Sequence, residues 1–345
     1  MKFSRMQNTF FPFCQIKKVF LIIVIVGGCL ASYAQDPHFT NFNIATQQFN
    51  PAMTGQFEQT VKASLLHKSQ WKSVGSGFRT NGMDAQYKLL SYSSDSYAGF
   101  GLFIMQDQAG KAQMKTFQVM GTAAYHLVAN SKNLLSAGGS IGYFQRGVDV
   151  QGLAWDSQFN GISYDPSLDD KERFLTDRRS TIDIAAGGTW KHKGKKRYGL
   201  GYAVRHAGQQ ITQVARGNDK LRFRQTYSGY WTSKFTHFDI RYDALVQRQA
   251  GAQAIVFGIS GIYRLGSDSK YTNVKTSNVI TGGVFYRFND AIHPYIGFEV
   301  MRVAAFTFGY DLRMPKMAGI TTSVGGPEIS LTYLGSFGRK RMKVY

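Results

Sequence analysis

The sequence predicts an all-β fold, a transmembrane antiparallel up-and-down β-barrel of about 14 strands. Three observations carry that expectation. The hydrophobic pattern alternates with a period of two over most of the chain. The alternating segments approach the ~9–11 residues that a tilted strand needs to cross a bilayer. The chain also opens with what reads as an export signal. Composition agrees, because 345 residues include 37 Gly, 26 Phe and 19 Tyr but only 7 Pro and 2 Cys. High aromatic content with only 18% charged residues excludes a disordered chain. A single long apolar run excludes a bundle of membrane helices, and two cysteines in a chain of this length exclude a disulfide-stapled mini-domain.

The first element is an address. Lys2, Arg5, Lys17 and Lys18 precede Val19–Leu30, an apolar run shorter than the ~20 residues of a membrane-spanning helix. Ser32-Tyr33-Ala34 is a small-x-small cleavage site, so residues 1–34 read as a signal peptide with Gln35 as the mature N-terminus. A lipobox, Val26-Gly27-Gly28-Cys29, with Cys29 acylated, is the alternative. Cys14 and Cys29 both precede Ala34, which leaves the mature chain without a thiol for disulfides, thiolate catalysis or metal ligation. The excess of 41 Lys and Arg over 21 Asp and Glu suits anionic head groups or an acidic partner protein. Nucleic acid is not expected, since an exported chain rarely meets any.

Residues 35–59 lack strand periodicity and are expected either to plug the lumen or to dock in the periplasm. From there to residue 337 the barrel is expected, with strands at 60–69, 80–90, 96–107, 114–128, 134–147, 180–192, 197–208, 221–234, 236–247, 252–264, 276–288, 291–300, 302–313 and 327–337. In the fourth window Phe117, Val119, Tyr125 and Leu127 share one parity. In the sixth, Ile182, Ile184 and Trp190 oppose Asp183 and Thr189. In the ninth, Phe238, Ile240 and Tyr242 alternate with Asp239, Arg241 and Asp243, and in the last Ile329, Leu331 and Tyr333 oppose Glu328, Ser330 and Thr332. An even set of such strands closes without an edge in lipid. Tyr125, Tyr143, Trp190, Tyr198, Trp231, Tyr286 and Tyr333 lie near strand ends, as girdle aromatics do. The long connections 148–179, 208–220 and 314–326 are expected outside, although 266–275 is a long turn on the periplasmic side and 249–251 and 289–290 are short outer ones. Residues 338–345 form a basic tail. A soluble β-sandwich would alternate as well, but would hide its apolar faces in a core.

With the apolar parity toward lipid, the lumen receives Asp183, Arg205, Asp239, Arg241, Asp243, Arg287, Glu299, Asp311, Arg313 and Glu328. Mixed signs predict a packed, ion-paired lumen, with Asp239, Arg241, Asp243, Arg287, Asp311 and Arg313 as its structural charge network. A water-lined channel is the alternative. No catalytic, metal or cofactor motif appears, neither HExxH, Walker loop, GxSxG nor a DxDxDG calcium loop. The seven histidines are scattered. His206 is the best single candidate for rim chemistry, yet its parity with Tyr202 and Val204 puts it on the lipid face as a structural or girdle residue. Asp165, Asp169, Asp170 and Glu172 read as a solvated acidic loop.

A family resemblance adds to this reading. Gln35-Asp36-Pro37-His38-Phe39-Thr40-Asn41-Phe42 followed by Asn50-Pro51-Ala52-Met53-Thr54-Gly55 resembles the opening of the PorP/SprF family. Gln70-Trp71, Asp107-Gln108-Ala109-Gly110, Leu135-Ser136-Ala137-Gly138 with Gly142-Tyr143, Gln158-Phe159, Gly201 through His206, Gln249-Ala250-Gly251, Tyr286-Arg287, Gly309-Tyr310-Asp311 and Glu328-Ile329-Ser330-Leu331 continue it in order. Where that family commonly has an arginine before Gln-Trp, this chain has Lys68-Ser69. The resemblance implies a non-enzymatic outer-membrane component of the type IX secretion and gliding machinery. It further implies tethering through a periplasmic, peptidoglycan-binding OmpA-like partner, or export and surface attachment of large adhesins carrying a type B C-terminal domain. A passive porin is the alternative. Trp155, Phe159 and Phe174, on the long outer loop, are the expected cargo contacts.

Overall fold

The computed structural model describes residues 36–337 except 71–76, 92–94, 111–113, 149–155, 166, 169–177, 195, 209–221, 237, 266–277 and 314–324. The signal segment with Cys29, the basic tail, Trp71, Trp155 and Phe174 therefore lie outside the described residues.

The strands are β1 (Val61–Gln70), β2 (Phe78–Leu90), β3 (Tyr97–Ala109), β4 (Met114–Asn130), β5 (Asn133–Gly147), β6 (Arg178–Lys193), β7 (Arg197–Arg205), β8 (Arg224–Lys234), β9 (Phe238–Gln249), β10 (Ala252–Leu265), β11 (Asn278–Arg287), β12 (Ala291–Val300), β13 (Ala304–Arg313) and β14 (Gly326–Gly335). Each pairs antiparallel with its sequence neighbours, and β1 pairs with β14 to close the barrel. Every strand thus finds its ladder partners inside the wall, as a bilayer requires. Strands run from 9 residues in β7 to 17 in β4, so part of the wall is taller than a bilayer crossing needs. The β5–β6 ladder continues to Gly147↔Arg178, well beyond the last β6–β7 rung at Ala185↔Arg205. That taller side carries the longest connection, residues 148–177.

Alternation sorts the side chains. In β4, Phe117, Tyr125 and Leu127 are exposed while Gln118, Met120, Thr122 and His126 are buried. In β9, Phe238 and Tyr242 face out and Asp239 and Asp243 face in. Leu65, Ile141, Ile182, Leu200, Phe257 and Leu331 continue the outer apolar belt around the cylinder, a surface far too extensive for water. At one end of it, on adjacent strands, Trp190 meets Tyr198 edge to face at 5.5 Å between centroids, and Tyr198 stacks on Trp231 at 6.0 Å. The connections 148–177, 206–223 and 314–325 share the opposite end, which is the outer one by the rule of long external loops and short periplasmic turns.

Residues 36–59 contribute no strand and occupy the lumen. They hold one helical turn, α1 (Thr46–Phe49), and a 3₁₀ turn, Pro51–Met53, whose start is capped by the Asn50 carboxamide accepting from Ala52 N at 2.9 Å. Phe39, Phe42, Ala45 and Phe49 pack against the inward Leu66, Phe103, Met105, Met120, Leu245, Val256 and Phe285. The apolar core is therefore the junction between this segment and the wall. Each large side chain buried there contributes about 1.5–3 kcal/mol to seating the segment. Two wall glycines make room for it. A Cβ on Gly138 would stand 2.8 Å from the Ala52 backbone, and one on Gly99 would overlap the Thr54 carbonyl.

The segment is traversed end to end. Asp36 bonds to Gln249 at the outer end of β9, whereas Gln59 donates to the Arg302 carbonyl in the inner turn between β12 and β13. Thr60 then joins the wall through Gly335.

Candidate functional site

The lumen surface that holds residues 36–59 is the most elaborate polar site among the described residues. It has an outer, a middle and an inner level.

At the outer level Asp36 is 6% exposed and accepts from His206 Nε2 at 2.6 Å and Gln249 at 3.1 Å, with Arg224 and Arg146 each at 3.4 Å. The other His206 nitrogen, Nδ1, lies 2.9 Å from Asp183. Asp183 also accepts from Gln118, which in turn receives Arg205 at 3.1 Å. The expected lipid-facing position of His206 is thus corrected: it is 2% exposed and points inward. The physical reason is backbone. β7 ends at Arg205 rather than 208, and His206 turns to φ +60°, which breaks the alternation so that two successive residues face the lumen.

At the middle level Glu328 accepts from the backbone N–H groups of Thr40 and Asn41 at 2.8 and 2.9 Å, so a wall carboxylate satisfies two buried donors of the inner segment. Asp311 is met by His293 at 2.7 Å, Arg287 at 2.9 Å, Gln70 at 2.6 Å and Lys68 at 3.6 Å. Lys68 also donates to Thr40 Oγ1 at 2.8 Å and pairs with Glu328 at 3.7 Å. Arg241 pairs with Asp243 at 2.8 Å and donates to Asn43 at 3.0 Å. Asp239 pairs with Arg264 at 2.5 Å. Arg313, half-buried, shares the inward parity of Asp311.

At the inner level Asn50 donates to the Gly188 and Tyr202 carbonyls, Gln56 bridges Ser136 and Thr189, and His126 joins Thr54 O at 2.7 Å to Ser136 at 2.8 Å. Outside the lumen, Phe159 is 57% exposed and bridges to Tyr164 in the long outer loop. Asp165 is exposed and accepts from Ser167. No cluster of three metal-ligating side chains occurs among the described residues.

Parity in the sequence identifies the wall charges but not the groups they meet. Asp36, Thr40, Asn43 and Gln47 come from the segment without strand periodicity, and parity alone does not join Lys68, Gln70 and His293 to the network. One signal was present: the polar residues of Asp36-Pro37-His38-Phe39-Thr40-Asn41 alternate with aromatics in a stretch too short to bury them alone.

Two inner-segment groups set an acid response. Burial, then the positive charges of Lys68 and Arg287, push the His38 ring down to about 3. Its Nδ1 lies 3.2 Å from the Asp36 carbonyl while Nε2 has no partner. Burial alone would raise the Asp36 carboxyl, but His206, Arg224 and Arg146 hold it well below the usual carboxylate range. Both groups act in the same direction. As pH falls from about 6.5 toward 3, the released segment takes up a proton on His38 that the seated one refuses, so seating weakens by at most about 1.4 kcal/mol per pH unit. Below about 3.8 the Asp36 contribution is lost too. External protease acting on residues 36–59 at about pH 4.5 is expected to cut faster than at pH 7, and His38→Gln should flatten that difference. Equal cutting at both pH values would refute it.

A closed barrel with an apolar outer belt, an aromatic girdle and a charged, filled lumen defines an outer-membrane protein of a Gram-negative bacterium. The chain belongs to the PorP/SprF family, since the family model for the type IX secretion system membrane protein PorP/SprF matches residues 31–333. Membership implies association with other components of that secretion system. No curated protein matches the chain in sequence. Among solved structures it is similar in fold to the Ralstonia pickettii toluene transporter TbuX, with 12% identity, 86% of this chain and 94% of that chain covered, and a TM-score of 0.50. It is similarly like the monoaromatic hydrocarbon channel CymD, with 13% identity, 87% and 94% covered and a TM-score of 0.50. A TodX mutant channel gives 11% identity, 84% and 93% covered and a TM-score of 0.52. At these identities the likeness is one of fold.

Proposed function

We propose that the chain is a non-enzymatic scaffold of the type IX secretion and gliding machinery. It tethers that machinery to the outer membrane through a periplasmic, peptidoglycan-binding OmpA-like protein, and its outer loop meets a large adhesin with a type B C-terminal domain. The observation that carries this reading is the lumen filled by residues 36–59, bonded at three levels to the wall. Such a barrel is rigid and occupied, which suits holding partners better than passing solutes. The passive-porin reading draws on barrels named as hydrocarbon transporters and channels, but their likeness is confined to fold. On the outer face, Phe159 is the exposed aromatic anchor proposed to meet cargo, together with Trp155 and Phe174 of the same loop.

Affinity purification from mildly solubilised outer membranes tests the proposal. Co-purification of an OmpA-like periplasmic protein or a large adhesin is expected. Recovery of the barrel alone under those conditions would refute it.

A further inference from the structure

Charge is unevenly spread along the lumen. Toward the outer and middle levels Asp36, Asp311 and Glu328 each face an arginine or lysine, and Asp183 faces His206. Near the inner mouth the balance reverses. Lys62 donates to the Ile44 carbonyl at 2.8 Å, Lys88 donates to the Phe57 carbonyl and lies 5.1 Å from the Tyr97 ring centroid, and Lys191 lies 5.8 Å from that of Tyr230. None of these three lysines forms an ion pair with a carboxylate among the described residues. Asp84 acts on Lys62 and Glu58 on Lys88 only through space, while the charged neighbours of Lys191 are the cations Arg241, Lys193 and Lys88.

Lys62 and Lys191 border a cavity of about 420 Å³ between the inner segment and the wall, at the periplasmic end. Lys62, Lys191, Arg264 and Arg302 line it, with Glu58 and Glu299 as its acidic residues. Glu58 already pairs with Arg302, and Arg264 pairs with Asp239. Arg302 keeps a buried Nε without a hydrogen-bond partner. Ile262, Val279 and Leu334 supply apolar lining. Lipid does not reach this site, because its cations point inward. Lysines without a carboxylate partner beside apolar surface match a peptide that carries both carboxylates and aliphatic groups.

We propose that the inner-mouth cavity seats a short acidic peptide segment of a periplasmic protein, with Asp or Glu carboxylates meeting Lys62 and Lys191. This rests on the tether reading, for which it names the chemistry of the partner's contact.

The test uses the purified full-length barrel in neutral detergent, with fluorescently labelled hexaglutamate as probe and hexaglutamine as control. Hexaglutamate should bind saturably, bind more weakly as salt rises, and bind about tenfold more weakly to Lys191→Glu. Lys191→Gln, which removes the charge without reversing it, should fall between. Heat-modifiable gel migration verifies folding of both variants, and Lys191→Gln retains a readout where Lys191→Glu fails to fold. Absence of hexaglutamate binding, equal binding of hexaglutamine, or indifference to both Lys191 variants would overturn the proposal. So would binding of a muramoyl-peptide fragment in place of hexaglutamate, which would assign the cavity to peptidoglycan. The two readings fail separately. Co-purification of the periplasmic partner without peptide binding refutes the cavity alone, and peptide binding without any co-purifying partner refutes the tether.

Discussion

Deleting residues 36–55 should convert a closed barrel into a conducting one. In planar bilayers the intact protein is expected to show no steady open level, because Phe39, Phe42 and Phe49 fill the centre of the lumen and pack onto Phe103, Met120 and Phe285. The wall itself does not depend on that filling for its backbone, since each strand is paired on both sides by ladders that close from β1 to β14. In the deletion variant, water replaces the segment around Lys68, Arg287, Asp311 and Glu328, whose charges then hydrate instead of remaining buried. Long-lived conductance steps should therefore appear, with the heat-modifiable band retained. Equal conductance before and after the deletion would mean that the segment is not a barrier, and the scaffold reading would lose its main support. Loss of the folded band would instead show that the wall needs its core to close.

The second large effect is expected at Asp311. Its carboxylate is 1% exposed and neutralises a cluster of Arg287, Lys68 and His293. Asp311→Ala leaves those groups facing one another without their common acceptor, a change that typically costs about 3–5 kcal/mol when a buried pair is broken. The midpoint of heat-induced loss of the compact gel form should drop sharply. The control shares the same arginine: Asp290 pairs with Arg287 at 2.8 Å, but its side chain is 45% exposed. Asp290→Ala should cost less than about 1 kcal/mol. Equal effects from the two substitutions would show that burial does not set the strength of this network.

Several features of the inner segment now have a physical account. Gly138, in the Leu135-Ser136-Ala137-Gly138 stretch, lacks a side chain where Ala52 presses on the wall. Glu328, at the head of Glu328-Ile329-Ser330-Leu331, caps the Thr40 and Asn41 amides. Lys68, standing where the resembling family commonly has an arginine nearby, joins Thr40, Asp311 and Glu328. In these three places the inner segment and the wall meet as two halves of one contact.

The barrel is legible in the chain before folding: all fourteen strands lie at the expected windows, because alternation is a local property that lipid on one side and a polar lumen on the other impose on each strand separately. The alternation also determined which parity faces lipid, and so the inward placement of Asp239, Asp243, Arg287 and Asp311. What these charges meet is set by the closed fold. Asp36 reaches His206 across 170 positions and Thr40 reaches Glu328 across 288, separations over which no periodicity carries information. The inward turn of His206 likewise depended on a single left-handed residue at a strand end. Pairing inside a closed cylinder is set by where closure brings strands and filling together, and that geometry exists only once the ring has shut.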